Sequence, residues 1–163
     1  MTVSDAAVTP VDLKKYVLMF GGVLLFCQVL VVAITSIFQF DVPAGMGIVV
    51  VMAALSYPVS LFVKTHERVF TGRERVSFAN MTSVIGLLVT GALALLSYYM
   101  LAMTGEANSY QIMLDDFSRE TGLSGMILIA GLSLLALALT WILAYIETGW
   151  FARRVLKGLS KAK

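Results

Sequence analysis

Four apolar runs uninterrupted by charge, Tyr16–Phe38, Ala44–Val63, Met81–Met103 and Leu123–Tyr145, constrain this 163-residue chain more than anything else in it. Each holds 20–23 residues. A helix rises about 1.5 Å per residue, so each run can cross a hydrocarbon core about 30 Å thick. Lipid offers no partner for a backbone amide, and a helix satisfies its own. The expected fold is therefore all-α: a four-transmembrane-helix bundle, one membrane domain over 1–163. Charged residues make up 13% of the chain, about half the roughly 25% usual in soluble domains.

The first run comes after Lys14-Lys15, as a signal peptide would, but it exceeds the roughly 7–15 residues of a signal core. The next residues, Gln39-Phe40-Asp41-Val42-Pro43, lack the small side chains of a cleavage site, so this run reads as a retained helix. Thr9 before Pro10, with Asp12 close behind, predicts a helix that starts ahead of the membrane and enters it near Tyr16. Asp41-Val42-Pro43 predicts the second start, and so short a connection makes the first two helices an antiparallel hairpin. Thr71 and Glu74, three apart, form a capping box, so the third helix restarts there and enters the bilayer near Phe78–Met81.

Charge placement sets the orientation. The ends and the Lys64–Arg75 connection carry eleven basic residues against five acidic, a net of +6. The other side carries Arg119 against five acids, a net of −4. By the positive-inside rule both termini are expected on the cytoplasmic side. Lys14, Lys15, Arg73, Arg75, Arg153 and Arg154 are the candidate contacts to anionic lipid headgroups. Tyr16, Trp150 and Phe151 on one side and Phe38, Phe40, Tyr98 and Tyr99 on the other fit interfacial belts, while Trp141 lies deeper, against a neighbouring helix.

The spans hold no Asp, Glu, Lys, Arg or His. Proton-coupled carriers and intramembrane hydrolases usually need an ionisable group at that depth, so neither is expected. Glu147, a turn beyond Tyr145, is expected as an interfacial carboxylate facing headgroups or pairing with an arginine, with a partly buried site residue as the alternative. His66, the single histidine, is expected to be solvated, and with only Glu67 beside it makes no metal set. Cys27 is alone, so no internal disulfide can form; it reads as a small apolar residue. No catalytic residue, cofactor or nucleic-acid partner is expected.

What remains in the spans is contact chemistry. Gln28 is costly to leave unpaired and is expected to hydrogen-bond across helices. Small residues four apart, Ser56/Ser60, Gly86/Thr90/Ala94 and Ala136/Thr140/Ala144, let backbones approach closely, within the bundle or against a second copy. Pro58 frees a carbonyl and kinks its helix, with Ser56 or Ser60 near enough to help satisfy it. On the outer side, Tyr110, Met113, Leu114 and Phe117 recur at i, i+3, i+4 and i+7, opposite Asp115 and Asp116. That predicts a short amphipathic helix in the outer loop, a lid over helix ends or a docking segment for another protein.

Phe62-Val63-Lys64, then Arg68, Thr71, Glu74 and Arg75 leading into an apolar helix with serine, resembles an uncharacterised family of small four-pass bacterial inner-membrane proteins over residues 45–100. The chain carries Phe70 where members often have proline. The resemblance implies a bacterial inner-membrane setting and brings no activity with it.

The functional expectation is a non-enzymatic accessory, assembly or interaction subunit. Its partners would be membrane lipids and another membrane protein or a second copy. Two rivals stand beside it: a small oligomeric transporter or channel lined by Pro58 and Gln28, and an immunity-type protein that neutralises a membrane-acting toxin. The orientation is directly testable. Alkaline phosphatase, active only outside the cytoplasm, is expected to be silent when fused after Lys163 and active when inserted at Glu106; the reverse pattern would overturn it.

Overall fold

The computed structural model describes residues 11–39, 43, 45–104, 108–122 and 124–162. The expected starts at Thr9–Pro10, Asp41, Ala44 and Leu123 fall outside them. Six α-helices occur in order: α1 (Lys14–Phe38), α2 (Met46–His66), α3 (Gly72–Thr104), α4 (Asn108–Thr121), α5 (Gly125–Ile146) and α6 (Ala152–Ala162). A five-residue π-helical stretch, Glu147–Phe151, joins α5 to α6. Four helical segments are long and apolar enough to cross a membrane: Lys14–Thr35, Met46–His66, Gly72–Met100 and Gly125–Lys161. The chain is a multi-pass integral membrane protein in its architecture.

The helix boundaries arise from local hydrogen bonding. Residues 11–13 are not helical, and α1 starts at Lys14, later than the Thr9–Pro10 signal predicts. The reason is Asp12, whose Oδ1 accepts the Lys14 amide at 3.0 Å and so satisfies a first-turn donor. α1 ends at Gln39, which takes a left-handed conformation (φ 50°) and donates its amide to the Thr35 carbonyl. α2 begins at Met46, whose amide reaches the Pro43 carbonyl, and it continues past Pro58 to His66. The Thr71–Glu74 capping box forms as predicted. The Thr71 amide donates to Glu74 Oε2 at 2.9 Å, and the Glu74 amide donates to Thr71 Oγ1 at 3.3 Å. α3 thus starts at Gly72, before its apolar stretch.

The core lies at one end of the bundle, where α1 and α3 begin and α2 and α5 finish. Tyr16, Phe20 and Leu24 form one buried stripe on α1, and Leu55, Val59, Phe62 and Val63 another on α2. Phe70 stacks on Phe62 with ring centroids 3.8 Å apart and lies 5.5 Å from Phe78. That is why phenylalanine at position 70 suits this chain: the ring plugs the turn between two helices. Towards the other end, large apolar side chains such as Phe26, Val32, Leu95 and Leu132 are exposed. Along α5, only Leu128 and Ala144 are buried.

The last apolar helix does not stop near Tyr145. It widens through the π stretch and continues as α6, where Ala152, Val155, Leu156 and Leu159 pack against the core and Arg153, Arg154 and Lys157 stay exposed. The whole segment Gly125–Lys161 has 37 residues, roughly 55 Å at helical rise, so it overruns a bilayer core.

These contacts predict a stability order. Thr71→Ala is expected to cost about 1 kcal/mol, the usual worth of a helix cap. Glu74→Ala is expected to cost more, since it also strands Arg68. Thermal unfolding in mild detergent reads both, and equal melting temperatures would count against the turn as described.

Candidate functional site

The end of the bundle that carries the basic residues gathers most of the charged side chains in the described structure. The turn after α2 is built around Glu74. Arg68 donates to it twice, Nη1 to Oε2 at 2.8 Å and Nη2 to Oε1 at 2.7 Å, a paired geometry that fixes direction as well as distance. Those bonds raise the pKa of Arg68, against an opposing effect of burial, so the guanidinium stays charged. Arg68 also lies 5.3 Å from the Phe62 ring centre.

His66 is not solvated as expected. It is half-buried, shares a 3.1 Å hydrogen bond with the Tyr16 hydroxyl, and lies 4.7 Å from the Phe62 ring. The cause is periodicity: His66 is one turn beyond Phe62 on the same face of α2, which puts it in the aromatic cluster. It ties the start of α1 to the end of α2.

Arg75 is likewise turned away from the headgroup role. Its guanidinium lies 4.0 Å over the Tyr145 ring and donates Nη2 to the Tyr145 carbonyl at 2.8 Å, while its buried Nε has no partner. The π stretch makes this possible, since a wider turn leaves carbonyls free for outside donors. Gly149, one turn on, makes room for it: a Cβ there would lie 2.9 Å from the central carbon of the Arg75 guanidinium and would have to displace that side chain.

Glu147 opens the π stretch and is only 4% exposed. The expectation of an interfacial carboxylate facing headgroups is overturned, because the π stretch that carries it packs against α2 and leaves the side chain buried. Its Oε2 meets no hydrogen-bond donor. Thr148 beside it is fully buried and donates its hydroxyl to the Ala144 carbonyl at 2.8 Å.

Within the apolar stretch most hydroxyls are satisfied by their own helix. Thr82, Ser83 and Thr140 donate back to carbonyls three or four residues earlier, and Ser56 donates to Met52. The Ser56 hydroxyl therefore does not serve the Ala54 carbonyl freed by Pro58. Two side-chain pairs bond between helices there, among the described residues. Gln28 donates to Thr90 Oγ1 at 3.1 Å, from α1 to α3. Trp141 Nε1 donates to Asn80 Oδ1 at 2.7 Å, from α5 to α3, with the indole also stacked on Tyr145. Asn80 carried no sequence signal, because it sits at the predicted bilayer entry, where a polar residue is unremarkable.

The other residues singled out from the sequence are spread along the bundle. Pro58 is buried and Ser60 half-buried on α2. A methyl on Gly86 would lie 3.5 Å from Thr140 and 3.7 Å from Phe20, so α1, α3 and α5 meet at that glycine. Thr90 and Ala136 are exposed. Lys14, Lys15, Arg73 and Arg153 point outward, and so does Arg154, which stacks 3.9 Å over Trp150. Residues Tyr110–Phe117 lie on α4; Phe117 is exposed, and the side chains of Tyr110, Met113 and Leu114 lie outside the described residues.

This arrangement can hold helices in register. No group of three metal-ligating side chains occurs among the described residues. No family model matches the chain, and neither does any curated protein or solved structure.

The fit of Arg75 against the π stretch yields a paired prediction. Gly149→Val should lower the melting temperature strongly by expelling Arg75, while Gly22→Val, where a Cβ meets nothing within 4 Å, should change it little. Comparable losses in both variants would remove the case for a close approach at Gly149.

Proposed function

We propose that this chain is a non-enzymatic accessory or assembly subunit that acts by helix-to-helix contact inside a membrane. The observation that carries the reading is the small-residue ladder of α5. Ala144 is buried in the bundle, Thr140 is half-buried, and Ala136 is exposed. The ladder thus continues past the point where this chain covers it. The α3 ladder behaves alike, from buried Gly86 to exposed Thr90 and Ala94. In lipid such surfaces associate by close backbone approach, since no hydrophobic drive separates helix from acyl chain. A neighbouring membrane protein or a second copy would continue both ladders.

The setting we propose is a bacterial inner membrane with both termini cytoplasmic, as the charge asymmetry favours. A transporter lined by Pro58 and Gln28 is supported less well, because the Gln28 amide is engaged by Thr90 and Pro58 is packed in the core. An immunity-type protein would use the same exposed faces and is one form of the contact reading.

The test is association in mild detergent. Tagged protein is expected to run above monomer size, alone or with a stoichiometric membrane partner. Ala136→Leu should reduce that association at least severalfold, while Val32→Leu on an exposed face of α1 should leave it intact. A lone monomer, or indifference to Ala136→Leu, would overturn the reading.

A further inference from the structure

The joint between α5 and α6 buries a carboxyl group that no partner in the fold neutralises. Glu147 opens the π stretch and is 4% exposed, and its Oε2 meets no donor. It lies past the apolar run of the last crossing, near the level of Arg75 at the start of α3. Protein side chains, rather than lipid, therefore cover it.

Arg75 reaches the same joint from the opposite side. Tyr145 and Gly149 both meet its guanidinium, and Glu147 is two residues from each. At about 100° per residue, two residues carry a side chain round to the far side of a helix. The π stretch packs against α2, whose buried residues, Ala54, Leu55, Pro58, Val59, Phe62 and Val63, are all apolar.

The other ionisable groups on the elements around Glu147 are engaged or exposed. On α2 and its cap, Tyr57, Lys64 and Glu67 are exposed, and His66 bonds to Tyr16. On α6, Arg153, Arg154, Lys157 and Lys161 are exposed, while Tyr145 of α5 lies under Arg75. No ion pair reaches Glu147 among the described residues. A lone anion in such surroundings is costly, and a carboxyl group avoids that cost by holding a proton.

We propose that Glu147 is a proton-binding site, and that its proton latches the π stretch and α6 against α2. With the proton in place the carboxyl is neutral, and the joint closes over it. Once the proton leaves, an anion faces an apolar wall, and the joint opens to give it water. Opening would lift Val155, Leu156 and Leu159 of α6 off the core. A π turn suits such a joint, since these turns are rare and concentrate at functional sites.

Dicyclohexylcarbodiimide, an apolar reagent, tests the site in the full chain in mild detergent. The carboxyl proton passes to one carbodiimide nitrogen as the carboxyl oxygen adds to the central carbon. An acyl shift to nitrogen then leaves a stable N-acylurea, and no group is released. The reaction needs a protonated carboxyl, and exposed carboxyls are ionised above about pH 5. At about pH 6 the adduct is expected on Glu147 at least tenfold more than on Glu74, paired with Arg68, or on exposed Asp115. Trypsin reads the latch, with Glu147→Gln standing for the protonated acid. At about pH 6 the native chain and this variant should be cut within α6 at equal rates. At about pH 9 the native chain should be cut at least threefold faster, the two being compared at each pH so that trypsin's own dependence cancels. Absence of the adduct would overturn the proton site. Equal cleavage at both pH values, or a Glu147→Gln chain that does not fold, would overturn the latch.

Discussion

The turn at residues 67–71 must reverse the chain at the membrane surface within five residues and leave no backbone group stranded, and the bundle depends on how it does so. Glu67 ends α2 in a left-handed conformation (φ 48°). The Glu74 carboxylate then takes two bonds from Arg68 and one from the Thr71 amide, which closes the turn and starts α3 at once. Phe70 is thereby driven inward between Phe62 and Phe78. With α2 and α3 fixed, Tyr16 attaches α1 through His66, and Tyr145 attaches α5 through Arg75. A few charge-assisted bonds, each stronger than a neutral one, do this at the edge of the apolar region, where water competes less.

Away from that end, the polar side chains mostly serve their own helices. A threonine that donates back to a carbonyl four residues earlier avoids the cost of an unpaired hydroxyl in lipid and ties no neighbour down. Gln28–Thr90 and Asn80–Trp141 therefore carry a large share of the specificity between helices, together with close approaches at Gly21 and Gly86. The distal halves of α3 and α5 are left with apolar surface that lipid or another helix can cover.

The four apolar helices, the capped restart at Thr71 and the packing of Trp141 against a neighbouring helix were all legible in the sequence. Hydropathy, caps and aromatic placement are local signals, and they survive without knowledge of neighbours. The misplacements share another cause. His66, Arg75 and Glu147 look like surface residues one by one, and their burial is decided by elements distant in sequence: Tyr16 for the histidine, Tyr145 and Gly149 for the arginine, α2 for the glutamate. The α6 helix itself was within reach, since Ala152, Val155, Leu156 and Leu159 recur at i, i+3, i+4 and i+7. Its basic residues pass easily for a solvated tail. Asn80 has no one-dimensional signature, because only the facing indole gives it a role.

The π stretch sets the angular phase between two dissimilar helices. α5 is apolar around most of its surface, so its rotation matters little to lipid, but α6 has one face for the core and one for its cations. Each residue added to or lost from a helix turns everything beyond it by about 100°. The wide turn at Glu147–Phe151 takes up the difference, so that Ala152 and Leu156 meet the core while Arg153 and Lys157 do not. Residue count in this short stretch is thus under tighter constraint than residue identity along α5. A chain of this design could drift widely in the composition of its last crossing while its length there stayed fixed.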